Sequence, residues 1–138
     1  MYRIRAVEVS EFGDDIIEMD LACLKEEAIK PELIDQWWIA FLDDAPVAYA
    51  GLHPSSHHKR AGFLARAGVL PKHRGNGLQR RLIRVREKEA IKRRLFRMVS
   101  FTRNNPPSAN NLIACGYSVF IPKKLWAPSD ATYWHKVL

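Results

Sequence analysis

The run Val69-Leu70-Pro71-Lys72-His73-Arg74-Gly75-Asn76-Gly77-Leu78 carries the most specific chemistry in the chain, because an apolar strand-like segment passes through two closely spaced glycines into a long helical pattern. Glycine permits backbone conformations, and an approach by a ligand, that a Cβ obstructs. The first turn of a helix presents N–H groups without intrahelical partners, at the positive end of the helix dipole. Together these make a cradle for phosphate oxygens. A plain strand-to-helix turn uses the same residue types, so the two glycines alone do not separate the readings.

Other constellations carry less. His57-His58 are adjacent histidines without a convergent third ligand, which reads as a polar loop and leaves no metal assigned. Cys23 and Cys115 make neither a metal cluster nor a disulfide framework. No hydrolase triad signature is present. Charge is unevenly spread: residues 1 to 44 hold 4 Lys or Arg against 12 Asp or Glu, whereas residues 72 to 94 hold 10 basic and 2 acidic residues. A basic helix beside the glycines suits a nucleotide phosphate, and an acidic amino-terminal block suits a cationic acceptor. Two solvated faces account for the same charges.

The elements that must position these residues follow from periodicity and punctuation. Alternation over Tyr2 to Glu8 predicts a strand. Gly13-Asp14 then caps a helix whose buried face is Ile17, Leu21, Leu24 and Ala28, ended or interrupted by Pro31. Trp37 to Leu42 and Pro46 to Leu52 read as strands joined by a tight turn at Asp43-Asp44. In such a strand one of Trp37 and Trp38 packs inward and the other can line a groove or an oligomer contact. His53 to Arg60 is a loop and Ala61 to Leu70 a strand apolar on both faces, as a covered sheet interior requires.

Leu78 to Arg94 is a helix with Leu78, Leu82, Val85 and Glu89 on one face, Ile83 and Ile91 on its flanks and basic side chains outside. Leu95 to Phe101 is a strand, and Asn105-Pro106-Pro107-Ser108 starts a short helix that Cys115-Gly116 ends. Tyr117 to Ile121 and Thr132 to Val137 supply the last strands, with a loop at Pro122 to Asp130 that holds Trp126. The 138 residues, 47% apolar and 27% charged, fit one folded domain over residues 1–138, and disorder is a poor reading. The expected class is a three-layer α/β domain with a mixed sheet. No run reaches the roughly 20 apolar residues of a membrane span, and Met1-Tyr2-Arg3-Ile4-Arg5 lacks a signal-like core, so a cytoplasmic location is expected.

Lys72-His73-Arg74-Gly75-Asn76-Gly77 resembles the pyrophosphate loop of the GCN5-related N-acetyltransferase (GNAT) family, which reads Arg or Gln, any two residues, Gly, any residue, then Gly or Ala. Lys72 departs from the first position. The preceding Val-x-Pro and the following Leu78 also fit, and the likeness runs from the amino-terminal strand to Gly116-Tyr117. It implies a central mixed, mostly antiparallel sheet flanked by helices, and acetyl-CoA as cosubstrate. The backbone of Lys72 to Gly77 would hold the pyrophosphate, while Ala67, Gly68 and Val69 would pair with the pantetheine arm.

Under that resemblance Arg74 meets a phosphate or forms a surface pair, Lys72 offers a point charge, and His73 bonds to phosphate or lies exposed. A neutral primary amine attacks the thioester carbonyl directly, without metal or covalent nucleophile. The family's later motif puts Asn105 at its Asn, to meet pantetheine or cap the helix, and Gly116-Tyr117 at its end. Leu112 falls where the family has the Tyr that protonates the leaving thiolate. Water, Cys115 or Ser108 are the remaining acids and Glu32, Asp35 or water the remaining bases, so no catalytic residue is assigned. The acceptor is a cationic small molecule or a protein amine, with Trp37, Leu52, Trp126 and the acidic block as candidate pocket parts, and a homodimer through the final strands is compatible.

The rival reading is a nucleic-acid-binding or protein-interaction module on a catalytically inactive version of this fold, with the ten basic residues of 72 to 94 tracking phosphates. A continuous basic stripe favours it. Positive charge focused at a cofactor cleft favours the transferase.

Overall fold

Residues 1–24 and 28–138 are described by the structure, a computed structural model. Strand β1 (Tyr2–Val7) runs antiparallel to β2 (Gln36–Leu42) in a register from Tyr2↔Leu42 to Val7↔Trp37. β2 turns into β3 (Ala45–Pro54) through Asp43, whose φ of 54° is the left-handed conformation that a tight hairpin turn needs. β4 (Ala61–Val69) pairs in parallel with β5 (Arg97–Thr102) from Ala61↔Arg97 to Phe63↔Val99. β7 (Thr132–Val137) is antiparallel to both β5 and the short β6 (Ser118–Val119). The order is β1-β2-β3-β4-β5-β7-β6, a mixed and mostly antiparallel sheet flanked by helices α1 (Val9–Leu24), α2 (Leu78–Lys92) and α3 (Pro106–Ala114).

The chain divides into two compact units, residues 1–53 with 65–82 and residues 54–64 with 83–138, and β4 and α2 each begin in one and end in the other. In the first unit Val7, Ile16, Met19, Trp37, Ile39, Phe41 and Tyr49 form the core. Both Trp37 and Trp38 are buried, at 1% and 7% exposure, so neither lines a groove. Trp37 Nε1 donates to the Pro31 carbonyl at 2.9 Å, which satisfies its one polar atom inside the core.

Two helical faces differ from expectation. α1 starts at Val9, ahead of Gly13, and buries Ile16, Met19 and Asp20 while Leu21 and Ala28 are exposed. The inward face is one residue out of phase with the apolar pattern, because a charged residue occupies part of it and finds partners there. The stretch between Leu24 and Ala28, which holds part of the acidic block, lies outside the described residues. On α2 the buried positions are Leu78, Leu82, Ile83, Arg86, Glu87 and Ala90, whereas Val85 and Glu89 are half-buried and Ile91 is exposed. Arg86, 2% exposed, belongs to the interior and not to the basic outer face.

In the second unit the expected strand over Tyr117 to Ile121 shrinks to two residues. Tyr117 turns inward, and its hydroxyl donates to Glu87 at 2.8 Å. Lys136 completes this polar group, with Nζ 3.1 Å from Glu87 and 2.8 Å from the Cys115 carbonyl. Burial and the Glu87 carboxylate push the Tyr117 hydroxyl well above the ordinary phenol range. Among the described residues no helix is long and apolar enough to cross a membrane.

Candidate functional site

Residues 69 to 78 lie wholly in the first unit. After β4 ends at Val69, Pro71–His73 makes one 3-10 turn, Arg74 is extended, and Gly75 and Gly77 take φ of 81° and 74°. An ideal Cβ at either glycine would meet nothing within 4 Å. Backbone conformation and open approach, not crowding, therefore demand glycine here. The first intrahelical bond of α2 runs from Arg81 N to Gly77 O at 3.1 Å. The amides of residues 75 to 78 precede it and have no carbonyl partner among the described residues, and they stand at the positive end of a 15-residue helix. That arrangement fits a pyrophosphate.

The loop's side chains are spent largely on holding its shape. Tyr2 on β1 is the central post: its hydroxyl meets His73 Nδ1 at 3.1 Å and accepts from Asn76 Nδ2 at 3.3 Å. Asn76 Nδ2 also reaches the His73 carbonyl at 3.0 Å. Arg74 Nε donates back to the Val69 carbonyl at 2.9 Å, which engages that carbonyl within the chain. Lys72 is exposed, and Leu78 is buried as the apolar anchor of α2.

On β4 the glycine at 68 has a different cause from those in the loop. A Cβ there would stand 2.8 Å from a Tyr49 ring carbon and 2.9 Å from Cys23 Sγ. The strand passes so close to α1 and β3 that only hydrogen fits. Burial raises the Cys23 thiol pKa, against a hydrogen bond and charge from Arg74 that lower it. Ala67 beside it is half-buried.

Sequence reasoning did not find Asp20, Tyr49 and Arg66. Asp20, 1% exposed, accepts from the Tyr49 hydroxyl at 2.6 Å and from Arg66 at 2.7 and 3.2 Å. Desolvation first, then the neighbouring carboxylate, drive the Tyr49 pKa far above its usual value. The carboxylate is fully engaged, so this network is a support for β3, β4 and α1 and not a ready base. Glu32 and Asp35 are exposed in the same unit, and the Asp35 amide donates to His53 Nδ1 at 3.1 Å.

Asn105 lies in the second unit, apart from the other expected cofactor residues in this division of the chain. Its Oδ1 accepts from Ser108 N at 3.2 Å, which caps α3. Leu112 is 5% exposed on that helix, so the position lacking a hydroxyl is a packing position. Cys115 is buried as well, and Gly116 ends α3 at φ 93°. His57 and His58 engage Trp126: His57 stacks on its ring at 4.9 Å, and Trp126 Nε1 donates to His58 Nε2 at 3.0 Å.

A family model described as the acetyltransferase (GNAT) family matches residues 2–117. No curated protein matches the sequence. Among solved structures, the ribosomal-protein-S18-alanine N-acetyltransferase of Escherichia coli superposes with a TM-score of 0.80 at 14% identity, over 99% of this chain and 94% of that one. A Bacillus subtilis acetyltransferase in complex with CoA gives 0.80 at 14%, over 100% and 99% of the two chains. An IAA acetyltransferase from Bacillus cereus gives 0.77 at 12%, over the whole of both. At these identities the likeness speaks to the fold.

Proposed function

The chain belongs to the acetyltransferase (GNAT) family, and from that premise we propose that it transfers an acetyl group from acetyl-CoA to a primary amine. The observation that carries the reading is the loop: two left-handed glycines with open space where a Cβ would stand, opening directly into the first turn of α2. The amides of residues 75 to 78 would hold the pyrophosphate, with exposed Lys72 adding charge. The Tyr2, His73 and Asn76 contacts fix the loop before the ligand arrives, which lowers the ordering cost of binding. Ala67 and Gly68 would flank the pantetheine arm.

Acetyl-CoA supplies an activated thioester. The neutral amine nitrogen bonds to its carbonyl carbon, the carbon–sulfur bond breaks, and the amine's proton passes to water. No side-chain acid serves the leaving thiolate in this reading. Leu112 has no proton to give, and the Tyr117 hydroxyl is buried against Glu87. A thiolate is a good leaving group, so protonation by water suffices. The exposed carboxylates of α1, among them Glu11, Asp14 and Glu18, favour a cationic acceptor, either a small molecule or a protein amine.

The basic helix supports the nucleic-acid reading less than its composition suggests, since Arg86 is buried and Arg93 is paired with Glu89 at 2.7 Å. Calorimetric titration with acetyl-CoA and with CoA at moderate and high salt, beside a duplex oligonucleotide, tests the two together. Saturable CoA binding at both salts, reduced by Gly77→Ala in folded protein, supports the transferase. Binding of the oligonucleotide alone, lost at high salt, overturns it.

A further inference from the structure

Within the second unit, a cleft of about 430 Å³ is lined by aromatic and basic side chains and by no carboxylate: His57, Arg97, Phe120, Lys123, Lys124 and Trp126 make its walls. Elsewhere the half-buried cations are matched. Arg66 has Asp20, Lys136 has Glu87 and Arg93 has Glu89. Arg97, Lys123 and Lys124 have no acidic partner among the described residues, although three like charges at one cleft repel each other.

Arg97 shows the imbalance most directly. One of its terminal nitrogens donates to His135 Nδ1 at 3.1 Å, and its guanidinium carbon lies 5.1 Å from the Phe120 ring centre. Its Nε is buried without a partner, the one such side-chain atom among the described residues. A guanidinium offers five donors in a fork that suits carboxylate and phosphate oxygens, so a cation held between a ring and a neutral imidazole lacks the acceptor it is shaped for.

The walls add a second requirement. Trp126 is pinned by the His58 bond and by its own amide, which donates to the Tyr133 hydroxyl at 3.0 Å. Rings fixed in this way favour a flat apolar body more than a bare ion. The volume also exceeds what one small oxyanion fills.

We propose that this cleft binds a small organic oxyanion with a flat apolar body, an aryl carboxylate or aryl phosphate, its oxygens on Arg97, Lys123 and Lys124 and its ring against Phe120 and the stacked His57–Trp126 pair. The proposal does not rest on the acetyl-transfer reading.

Calorimetry on the full chain with phenyl phosphate, benzoate, inorganic phosphate and benzyl alcohol tests it. Phenyl phosphate or benzoate binds saturably, inorganic phosphate binds at least about tenfold more weakly, and benzyl alcohol gives no binding. The double variant Lys123→Gln/Lys124→Gln, whose sites are exposed and whose melting should match wild type, weakens the aryl anion about tenfold, whereas Gly77→Ala leaves it unchanged. Four results overturn the proposal: no saturable binding of either aryl anion, equal binding of inorganic phosphate, indifference to the double variant, or loss of binding in folded Gly77→Ala protein, which would put the probe in the loop.

Discussion

Arg66 and Arg97 are both half-buried arginines on sheet strands, one in each unit, and their surroundings are built on opposite rules. Arg66 meets a buried carboxylate with two bonds, and the Tyr49 hydroxyl takes up more of the same carboxylate at 2.6 Å. Arg97 meets an imidazole and a ring, and keeps a buried donor without an acceptor. A closed polar network fixes its strands and has nothing left to offer a ligand. An open one costs stability in the free protein and is completed from outside.

The contrast breaks most readily at Asp20. Asp20→Ala leaves the Tyr49 hydroxyl without its acceptor in the core and takes the buried carboxylate from half-buried Arg66, so a loss of about 3 kcal/mol is expected in urea unfolding. Arg97→Gln removes no carboxylate contact and should cost under about 1 kcal/mol. Comparable losses in the two variants would erase the distinction between the networks.

Glycines divide in the same manner. Gly68→Ala drives a methyl to within 3 Å of Tyr49 and Cys23 and should lower stability by about 2 kcal/mol through overpacking. Gly75→Ala and Gly77→Ala meet empty space and incur only the left-handed penalty of about 1–2 kcal/mol. Their larger readout is CoA affinity, expected to fall about tenfold where the added methyl stands in the ligand's path. If Gly68→Ala weakened CoA while sparing stability, the close approach at β4 would be a ligand contact and not a packing contact.

The loop was legible in the sequence because its determinants are local: Pro71 starts the turn, two glycines take conformations that other residues avoid, and the helical pattern begins at once. The β2–β3 hairpin was legible for the same reason, through Asp43-Asp44 between apolar runs. Asp20 was not, because the charge looks solvent-facing until Arg66, 46 residues away, is brought against it. The missing partner also shifts the expected α1 face by one residue, since Leu21 is the more apolar choice for the core. Arg86 and Glu87 are hidden in a basic run whose composition suits one outer face. Tyr2 gave no signal at all, because its partner His73 lies 71 residues distant. The spacing back from Gly116-Tyr117 marked Leu112 as the position lacking a hydroxyl, but its burial is visible only in the fold.

Tyr2 provides a finer probe of the first unit. Tyr2→Phe keeps the ring packed edge-on to His73 and removes only the hydroxyl that meets His73 and Asn76. A loss of about 1 kcal/mol is expected, divided between thermal stability and CoA affinity. An unchanged melting curve with weaker CoA would mean that the hydroxyl orders the loop alone. An unchanged affinity would show that the glycines hold the cradle without it.

The smallest expected effect belongs to the second unit and depends on pH. An indole N–H can only donate, so His58 Nε2 must accept from Trp126 and the imidazole is neutral in this arrangement. Burial first, then the charges of Arg97, His57 and His135, hold the His58 pKa below its ordinary value. The contribution is therefore fully present above the unfolded imidazole value near 6.5 and is lost as pH falls through the lower folded value. On acidification the Trp126 anchor should loosen, which would appear as a red shift in tryptophan emission absent from a Trp126→Phe control. His58→Gln, which keeps an acceptor but does not titrate, should flatten that transition. A transition that persists in His58→Gln would assign the sensitivity to His135, whose pKa burial and the Arg97 charge also lower, and not to the imidazole bonded to Trp126.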